Sequence, residues 1–170
     1  MSKKPEHMTS LIGNSLVPKN HPRIILRGKL DSLQAQVILI QCELEDQTLL
    51  ADLGDILACL RELTRCEVLD QSFEQDSLIG LTYTELRTQS HNPQKYFSVP
   101  AMSLPDHKFG RDYAQINKLR TAIREAELTA VAAFETAEGV SRTDIVQALN
   151  RLSSAAYIMM CRMIGYTNFR

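Results

Sequence analysis

Four stretches of this chain carry apolar residues at alternating steps of three and four, the spacing that lines one face of an α-helix. The last is the cleanest: Ile145, Leu149, Leu152, Ala156, Met159 and Met163 step 4, 3, 4, 3, 4. Leu30, Leu33, Val37, Ile40 and Leu44 step 3, 4, 3, 4, and Leu49, Leu53, Ile56, Leu60 and Leu63 step 4, 3, 4, 3. A further stripe runs through Ile116, Ile123, Ala130 and Phe134. Strands alternate with a period of two and do not satisfy these stripes. Each stripe must be buried against another helix. The pattern predicts an all-α fold, an antiparallel helical bundle of four to five helices.

Punctuation residues divide the chain. The first helix is expected to begin near Pro22, because proline is tolerated in a first turn. The short connection Glu45-Asp46-Gln47 predicts an antiparallel hairpin of helices, the second spanning Thr48 to Glu67. From Val68 to Phe109 the pattern weakens. Leu78 to Arg87 reads as one short helix, and His91-Asn92-Pro93, Val99-Pro100 and Leu104-Pro105 mark loop. The next helix runs from Gly110 or Arg111 to Ala137, and Gly139 breaks it. Ser141 reads as the N-cap of the last helix, with Asp144 at the N3 position. Residues 1–20 read as an irregular arm, 21–165 as one bundle domain and 166–170 as a tail.

Bulk numbers narrow the partners. A chain of 170 residues holds one domain with a real core, and a net charge of −1 gives no support for nucleic-acid or anionic-membrane binding. No apolar segment is long enough to span a bilayer, and Lys3-Lys4 is not followed by the apolar run of a signal peptide. Cys42, Cys59, Cys66 and Cys161 form no C-x-x-C pair. Buried free thiols, and a reduced cytoplasmic protein, are expected. His7, His21, His91 and His107 show no metal-ligand spacing.

Charge is placed unusually within Leu119–Glu127. Arg120, Arg124 and Glu127 are spaced i, i+4, i+7 and share a face that overlaps the stripe of Ile116, Ile123, Ala130 and Phe134. Charge on a partly desolvated edge needs a partner. One reading is an ion pair within the helix, Arg120 or Arg124 with Glu127. The other is a second subunit or an anionic ligand. Arg151, with Lys19, Arg23 and Arg27 near the first helix, extends the cationic set, and arginine suits bidentate phosphate binding. Asn150 and Arg151 point off the last stripe and read as surface residues in a monomer. Asp31 is off its stripe and reads as solvated. Thr9, Ser10 and Gly13 suit phosphate, although no P-loop pattern is present. Tyr96, Phe97 and Phe109 would either cover a flat ligand or plug the end of the bundle. No nucleophile–base pair or carboxylate dyad has a telling spacing. These residues support an anion-binding bundle without separating an enzyme from a helical interaction module.

Several of the same residues carry a resemblance. Gly110-Arg111-Asp112, then Leu119-Arg120-Thr121 with Arg124 and Glu127, then Gln147-Ala148-Leu149-Asn150-Arg151-Leu152-Ser153-Ser154 resemble the ATP:cob(I)alamin adenosyltransferases, in particular the ethanolamine-utilisation (EutT) type, related to the PduO type. Lys3-Lys4-Pro5, Lys19, Pro22-Arg23 and Leu30-Asp31-Ser32 agree as well, so the likeness runs from Lys3 to Met160. It implies transfer of the 5′-deoxyadenosyl group of ATP to the cobalt of cob(I)alamin, with release of triphosphate. The product would supply ethanolamine ammonia-lyase. PduO-type relatives are trimers with ATP between subunits, which implies a homo-oligomer here, a trimer or a dimer. A cobalamin reductase and an ethanolamine microcompartment are further implied associations. The alternative of the same descent is a non-catalytic bundle that binds or delivers cobalamin.

The resemblance also implies roles. Arg124 resembles the arginine that grips the triphosphate, and Arg120 the one paired with an acid on the first helix, whose position Asp31 occupies. Glu127 resembles the glutamate that orients the nucleotide or its Mg²⁺. Asn150, with Arg151 beside it, resembles the asparagine near the adenosine, so that both would face a subunit interface rather than water, and Lys19 resembles a lysine on phosphate. Thr9 and Ser10 fall in the N-terminal ATP loop, of which Met8 to Ser15 is a poor copy. Tyr96, Phe97 or Phe109 would stand near the corrin as the aromatic that removes the lower cobalt ligand. Some ethanolamine-type enzymes carry an N-terminal cysteine-pair metal motif. No such pair occurs in this sequence, and no structural metal is expected.

Overall fold

The computed structural model describes residues 4–101 and 103–167, with the backbone alone for 166 and 167. Lys3 of the resemblance and tail positions 168–170 lie outside the described residues. In chain order the elements are β1 (Met8–Ser10), β2 (Leu16–Pro18), α1 (Pro22–Glu43), α2 (Gln47–Leu69), β3 (Ser77–Leu78), β4 (Leu81–Thr82), α3 (Tyr83–His91), α4 (Pro93–Phe97), a 3₁₀ turn (His107–Phe109), α5 (Arg111–Phe134), β5 (Glu135–Thr136), β6 (Gly139–Val140) and α6 (Thr143–Thr167).

The four long helices are α1, α2, α5 and α6. Around the bundle α1 packs on α2 and α5, and α6 closes the ring against α2 and α5. The predicted stripes are the seams. Leu30, Leu33, Val37 and Ile40 of α1, Leu53, Ile56, Leu60 and Leu63 of α2, Ile116, Ile123, Ala130 and Phe134 of α5, and Ile145, Leu149, Leu152, Ala156 and Met159 of α6 are all buried. Emptying one leucine position in such a core costs about 2–5 kcal/mol. Asp46 caps α2 by accepting from the Thr48 and Leu49 amides at 2.8 and 2.9 Å. Gln34 of α1 donates to Thr64 of α2 at 3.0 Å.

Several local expectations differ. Residues 8–18 of the arm are an antiparallel β-hairpin, not an irregular segment, with Met8 opposite Pro18 and Ser10 opposite Leu16. The Leu11 amide donates to the Ser15 carbonyl at 2.8 Å and the Ser15 amide to the Ile12 carbonyl at 3.0 Å across a turn at Gly13, whose φ is +54°. Arg27 pins this turn to α1 by donating to the Leu11 carbonyl at 2.8 Å. The short helix lies at 83–91, not 78–87, because Thr82 and Glu85 form a reciprocal capping box. The helix ending at Phe134 stops three residues early, where β5 and β6 form a two-stranded turn. Ser141 does not cap α6; its amide and hydroxyl bond the Phe134 carbonyl, and the helix starts at Thr143. Cys42 is exposed, whereas Cys59, Cys66 and Cys161 are buried. No helix among the described residues is long and apolar enough to cross a membrane.

Arg23 and Arg27 are not available as an anion site. Glu67 of α2 is fully buried and takes both. Arg23 Nε donates to Glu67 Oε1 at 2.6 Å and its Nη2 to the Glu67 carbonyl at 2.9 Å, while Arg27 Nε donates to Glu67 Oε2. The Arg23 and Arg142 guanidinium groups also lie 5.5 and 5.9 Å from the Phe134 ring centroid. This polar knot ties the hairpin, α1, α2 and the α5–α6 turn together at one end of the bundle.

Asp144 belongs to the same end. It accepts from the Phe73 amide at 2.9 Å and from Arg142 at 2.9 and 3.0 Å. Burial opposes its ionisation, but Arg142 and the Phe73 and Ile145 amides outweigh burial and hold the carboxyl below its ordinary 3.8. A depressed carboxylate contributes stability that is present above the unfolded value and lost as pH falls through the folded one. Acid titration of stability is expected to fall less steeply below about pH 4 in Asp144→Asn than in the parent. Identical acid limbs in chemical denaturation would refute this role.

Candidate functional site

A groove opens between α3, which packs on α6, and the α5–α6 pair. It has two chambers, of about 590 and 490 Å³, which share His91, Glu127 and Asn150. Volumes of this order accommodate a nucleotide-sized ligand. Arg120, Arg124, Ser153, Ser154 and Tyr157 line one chamber, and Arg87, Thr143, Gln147 and Arg151 line the other.

The helices set this geometry. On α5, Arg120, Arg124 and Glu127 follow one another by a turn each along the edge of the buried seam. The expected intrahelical ion pair is absent among the described residues. Arg120 donates from Nε and Nη2 to Asn117 Oδ1 at 3.1 and 3.0 Å, and Glu127 Oε1 accepts from Asn150 Nδ2 at 2.9 Å. Asn150 Oδ1 in turn accepts from Arg151 Nη1 at 2.6 Å. The chain Arg151–Asn150–Glu127 orients the Asn150 amide and the carboxylate. Ser153 and Ser154 both donate to the Asn150 carbonyl, at 2.9 and 3.2 Å.

Asn150 and Arg151 are not surface residues of a monomer. Asn150 is half-buried and Arg151 only 7% exposed. Helical periodicity put them off the core stripe correctly, but α3 covers that flank.

Electrostatics favour an anion here. Burial, and then the Arg124 charge one turn away, lower the pKa of Arg120. Burial, and then the Arg87 charge, lower that of Arg151. Like charges at i, i+4 oppose helix formation by a few tenths of a kcal/mol, roughly. Arg124 is exposed, and its side chain makes no hydrogen bond or ion pair among the described residues. Burial, then Cys161, push the Tyr157 hydroxyl up to about 12, so it remains a neutral donor near neutral pH.

The other sequence-derived candidates lie outside these two chambers. Asp31 is exposed on α1 and makes no bond to Arg120 within the chain. On α1, Arg27 and Gln34 reach α2, while Lys29 reaches Glu125 of α5. Asp31 falls between Arg27 and Gln34 and shares the α2 flank. Thr9 and Ser10 are on β1, and Lys19, exposed, donates its amide to the His7 carbonyl at 2.8 Å.

Phe97 is half-buried and packs on the core, the plugging role. Its carbonyl oxygen would stand 2.9 Å from a Cβ at position 165, so Gly165 permits the close approach of α4 to α6. Tyr96 is exposed beside Lys95, 5.2 Å from the ring centroid to Nζ. The Phe109 ring packs tilted against Tyr113, centroids 4.9 Å apart, and borders a cavity of about 250 Å³ with Met163 and Ile164.

Arg87 and His91 were missed as groove residues. Their signal was the i, i+4, i+8 run Tyr83, Arg87, His91, which a helix ending at Arg87 conceals. Among the described residues no three His, Cys, Asp or Glu side chains are grouped to hold a metal ion.

Comparison with known proteins agrees with this architecture. The chain matches the family model for cobalamin adenosyltransferase over residues 1–163. Corrinoid adenosyltransferase EutT of Salmonella typhimurium is 39% identical over 159 residues, covering 93% of this chain and 59% of the relative. The protein of that name from Escherichia coli K12 is 38% identical over 163 residues, 94% of this chain and 60% of its own length. The chain thus spans about three fifths of the length of these curated relatives. The fold resembles that of a variant PduO-type ATP:corrinoid adenosyltransferase from Lactobacillus reuteri complexed with cobalamin and ATP. The TM-score is 0.74 at 20% identity, covering 96% of this chain and 91% of that one. A family match across nearly the whole chain, on a bundle whose arginine-lined groove is built from the matching helices, means that the chain belongs to the cobalamin adenosyltransferase family.

Proposed function

We propose that this chain transfers the 5′-deoxyadenosyl group of ATP to the cobalt of cob(I)alamin, releasing triphosphate. The observation that carries the reading is the convergence of Arg120, Arg124 and Arg151 on one groove around the Glu127–Asn150 pair. Cob(I)alamin is a strong nucleophile. Its cobalt lone pair attacks C5′, the C5′–O bond breaks, and the electron pair leaves on triphosphate. Such a reaction needs no general base. It needs C5′ held in line and the leaving charge stabilised. Arg124 and Arg120 take the triphosphate, Asn150 stands on the adenosine side, and Glu127 orients the nucleotide or its Mg²⁺.

Mg²⁺ arrives with ATP and uses few protein ligands, keeping waters and phosphate oxygens. Glu127 suits it, as the one carboxylate among the residues lining the two chambers.

Asp31, Thr9, Ser10 and Lys19 belong to the same reading through a second copy of the chain. Asp31 is exposed on the α1 flank away from α5, and the Arg120 guanidinium has an amide rather than a carboxylate as its partner. An Asp31–Arg120 pair closed between subunits would satisfy both, and would bring the hairpin of one copy toward the groove of another. Phe109 is the favoured aromatic on the corrin side, ahead of Tyr96 and the core-packed Phe97. The EutT name of the relatives supports a link to ethanolamine use; supply of ethanolamine ammonia-lyase in the cytoplasm, with a cobalamin reductase and a microcompartment nearby, extends the same reading.

An anaerobic assay with ATP, Mg²⁺ and cob(I)alamin, followed by absorbance, tests the function. Formation of adenosylcobalamin that depends on ATP is expected. Binding of ATP and cobalamin without product would instead make the chain a delivery bundle, and binding of neither would leave a helical interaction module.

A further inference from the structure

The chamber beside α3 contains a buried cationic donor without the partner that burial demands, and an exposed arginine beside it. Arg151 is 7% exposed, and its Nε is buried with no hydrogen-bond partner. The Tyr83 hydroxyl is likewise buried and unpartnered. Arg87 lines the same chamber, and its side chain makes no hydrogen bond or ion pair among the described residues. The one carboxylate on the chamber wall, Glu127, is already bonded to Asn150. A buried polar donor left unpaired costs about 1–3 kcal/mol, and more when charged. Two guanidinium groups line the chamber, and the Tyr83 hydroxyl, off its wall, is near enough to act on the Arg151 charge. A tetrahedral oxyanion with three or four acceptor oxygens satisfies that set better than a single carboxylate does.

We propose that Arg87 and Arg151, with the Tyr83 hydroxyl, form a second oxyanion subsite of the groove that takes a phosphate group. It rests on the proposed function and extends it. The chamber adjoins the Arg120–Arg124 chamber through Glu127, His91 and Asn150. Two phosphate sources are chemically equivalent there: the end of the nucleotide triphosphate, or the phosphodiester in the nucleotide tail of a complete corrinoid. Arg87 is exposed and Tyr83 only half-buried, so Arg87→Ala and Tyr83→Phe test the subsite without emptying the core.

The experiment is isothermal titration of the full chain, of Arg87→Ala, of Tyr83→Phe, and of Arg61→Ala as a control for an exposed arginine on α2. The probes are inorganic tripolyphosphate with Mg²⁺, cobalamin, and cobinamide, which lacks the phosphodiester tail. Circular dichroism checks each fold. Arg87→Ala is expected to weaken binding about tenfold, and Tyr83→Phe by less, with Arg61→Ala unchanged. Loss on tripolyphosphate assigns the subsite to the triphosphate. Loss on cobalamin with cobinamide unaffected assigns it to the corrinoid tail. Affinities of Arg87→Ala within about twofold of the parent for all three probes would overturn the subsite while leaving the proposed function standing. A parent chain that binds none of these probes, nor ATP, removes the proposed function and this subsite with it.

Discussion

Replacing Arg124 by alanine is expected to lower the rate of adenosyl transfer by about two orders of magnitude, the usual loss when one charge-stabilising donor is removed from a developing anion. Stability should stay within about 0.5 kcal/mol of the parent, because the side chain is exposed and has no partner to orphan. That separation makes the variant informative. A loss of activity with unchanged helical circular dichroism and unchanged denaturation midpoint places the residue on substrate. Arg124→Lys should recover only part of the rate, since an ammonium cannot reproduce a bidentate fork on phosphate. The rate is to be measured anaerobically with preformed cob(I)alamin, so that reduction of Co(II) does not limit it. Full activity in Arg124→Ala would move the triphosphate away from this chamber.

The largest effect on stability is expected at Glu67. Its carboxylate is fully buried and holds Arg23 at 2.6 Å together with Arg27, whose Nη2 also anchors Leu11 of the hairpin at 2.8 Å. Glu67→Ala would leave two poorly solvated guanidinium groups without their counter-charge. Breaking a buried pair from one side costs about 3–5 kcal/mol. For a chain of this size that corresponds to a fall in Tm of roughly 10 °C. Asp70, 3.6 Å from Arg23 and exposed, offsets little of it because water screens the contact. Glu67→Gln keeps the shape and removes the charge, and its Tm should fall between the two. The amides of Leu11 and Ser15 should also exchange faster in Glu67→Ala, because the turn they close is held through Arg27. A loss below about 1 kcal/mol by chemical denaturation would show that the knot is peripheral.

These two residues had different histories in the sequence. Arg124 was legible because helical periodicity alone puts it on one face with Arg120 and Glu127 at the edge of an apolar stripe. Glu67 was not. It closes the second helix in the linear pattern, and nothing local says that Arg23 and Arg27 stand 44 and 40 residues before it in the same buried corner. The same blindness assigned Arg23 and Arg27 to an anion-binding set, when both are already bonded to Glu67. Helical pattern placed Asn150 and Arg151 off the stripe correctly but, taken for a monomer, left them as surface, since the covering element is a nine-residue helix in the weakly patterned region.

Residues 8–18 illustrate a second limit. The segment has three-residue strands and no run long enough to show alternation, so pattern reading yields only an irregular arm. Its order comes from the turn at Gly13 and from the Arg27 side chain that holds the Leu11 carbonyl.

Local chemistry written into the sequence determined the four long helices, their apolar seams, the antiparallel α1–α2 hairpin and the face shared by Arg120, Arg124 and Glu127. Each of these depends on residues within a few turns of one another, where a 3.6-residue period and a capping side chain suffice. Tertiary structure decided which charges are paired and which are left open. The partners of Glu67 and Glu127, and the packing of α3 on α6 beside Arg151, depend on side chains brought together from distant segments. The consequence is a contrast in pairing: Glu67 binds Arg23 and Arg27 at one end of the bundle, while Arg124 in the groove pairs with no carboxylate among the described residues.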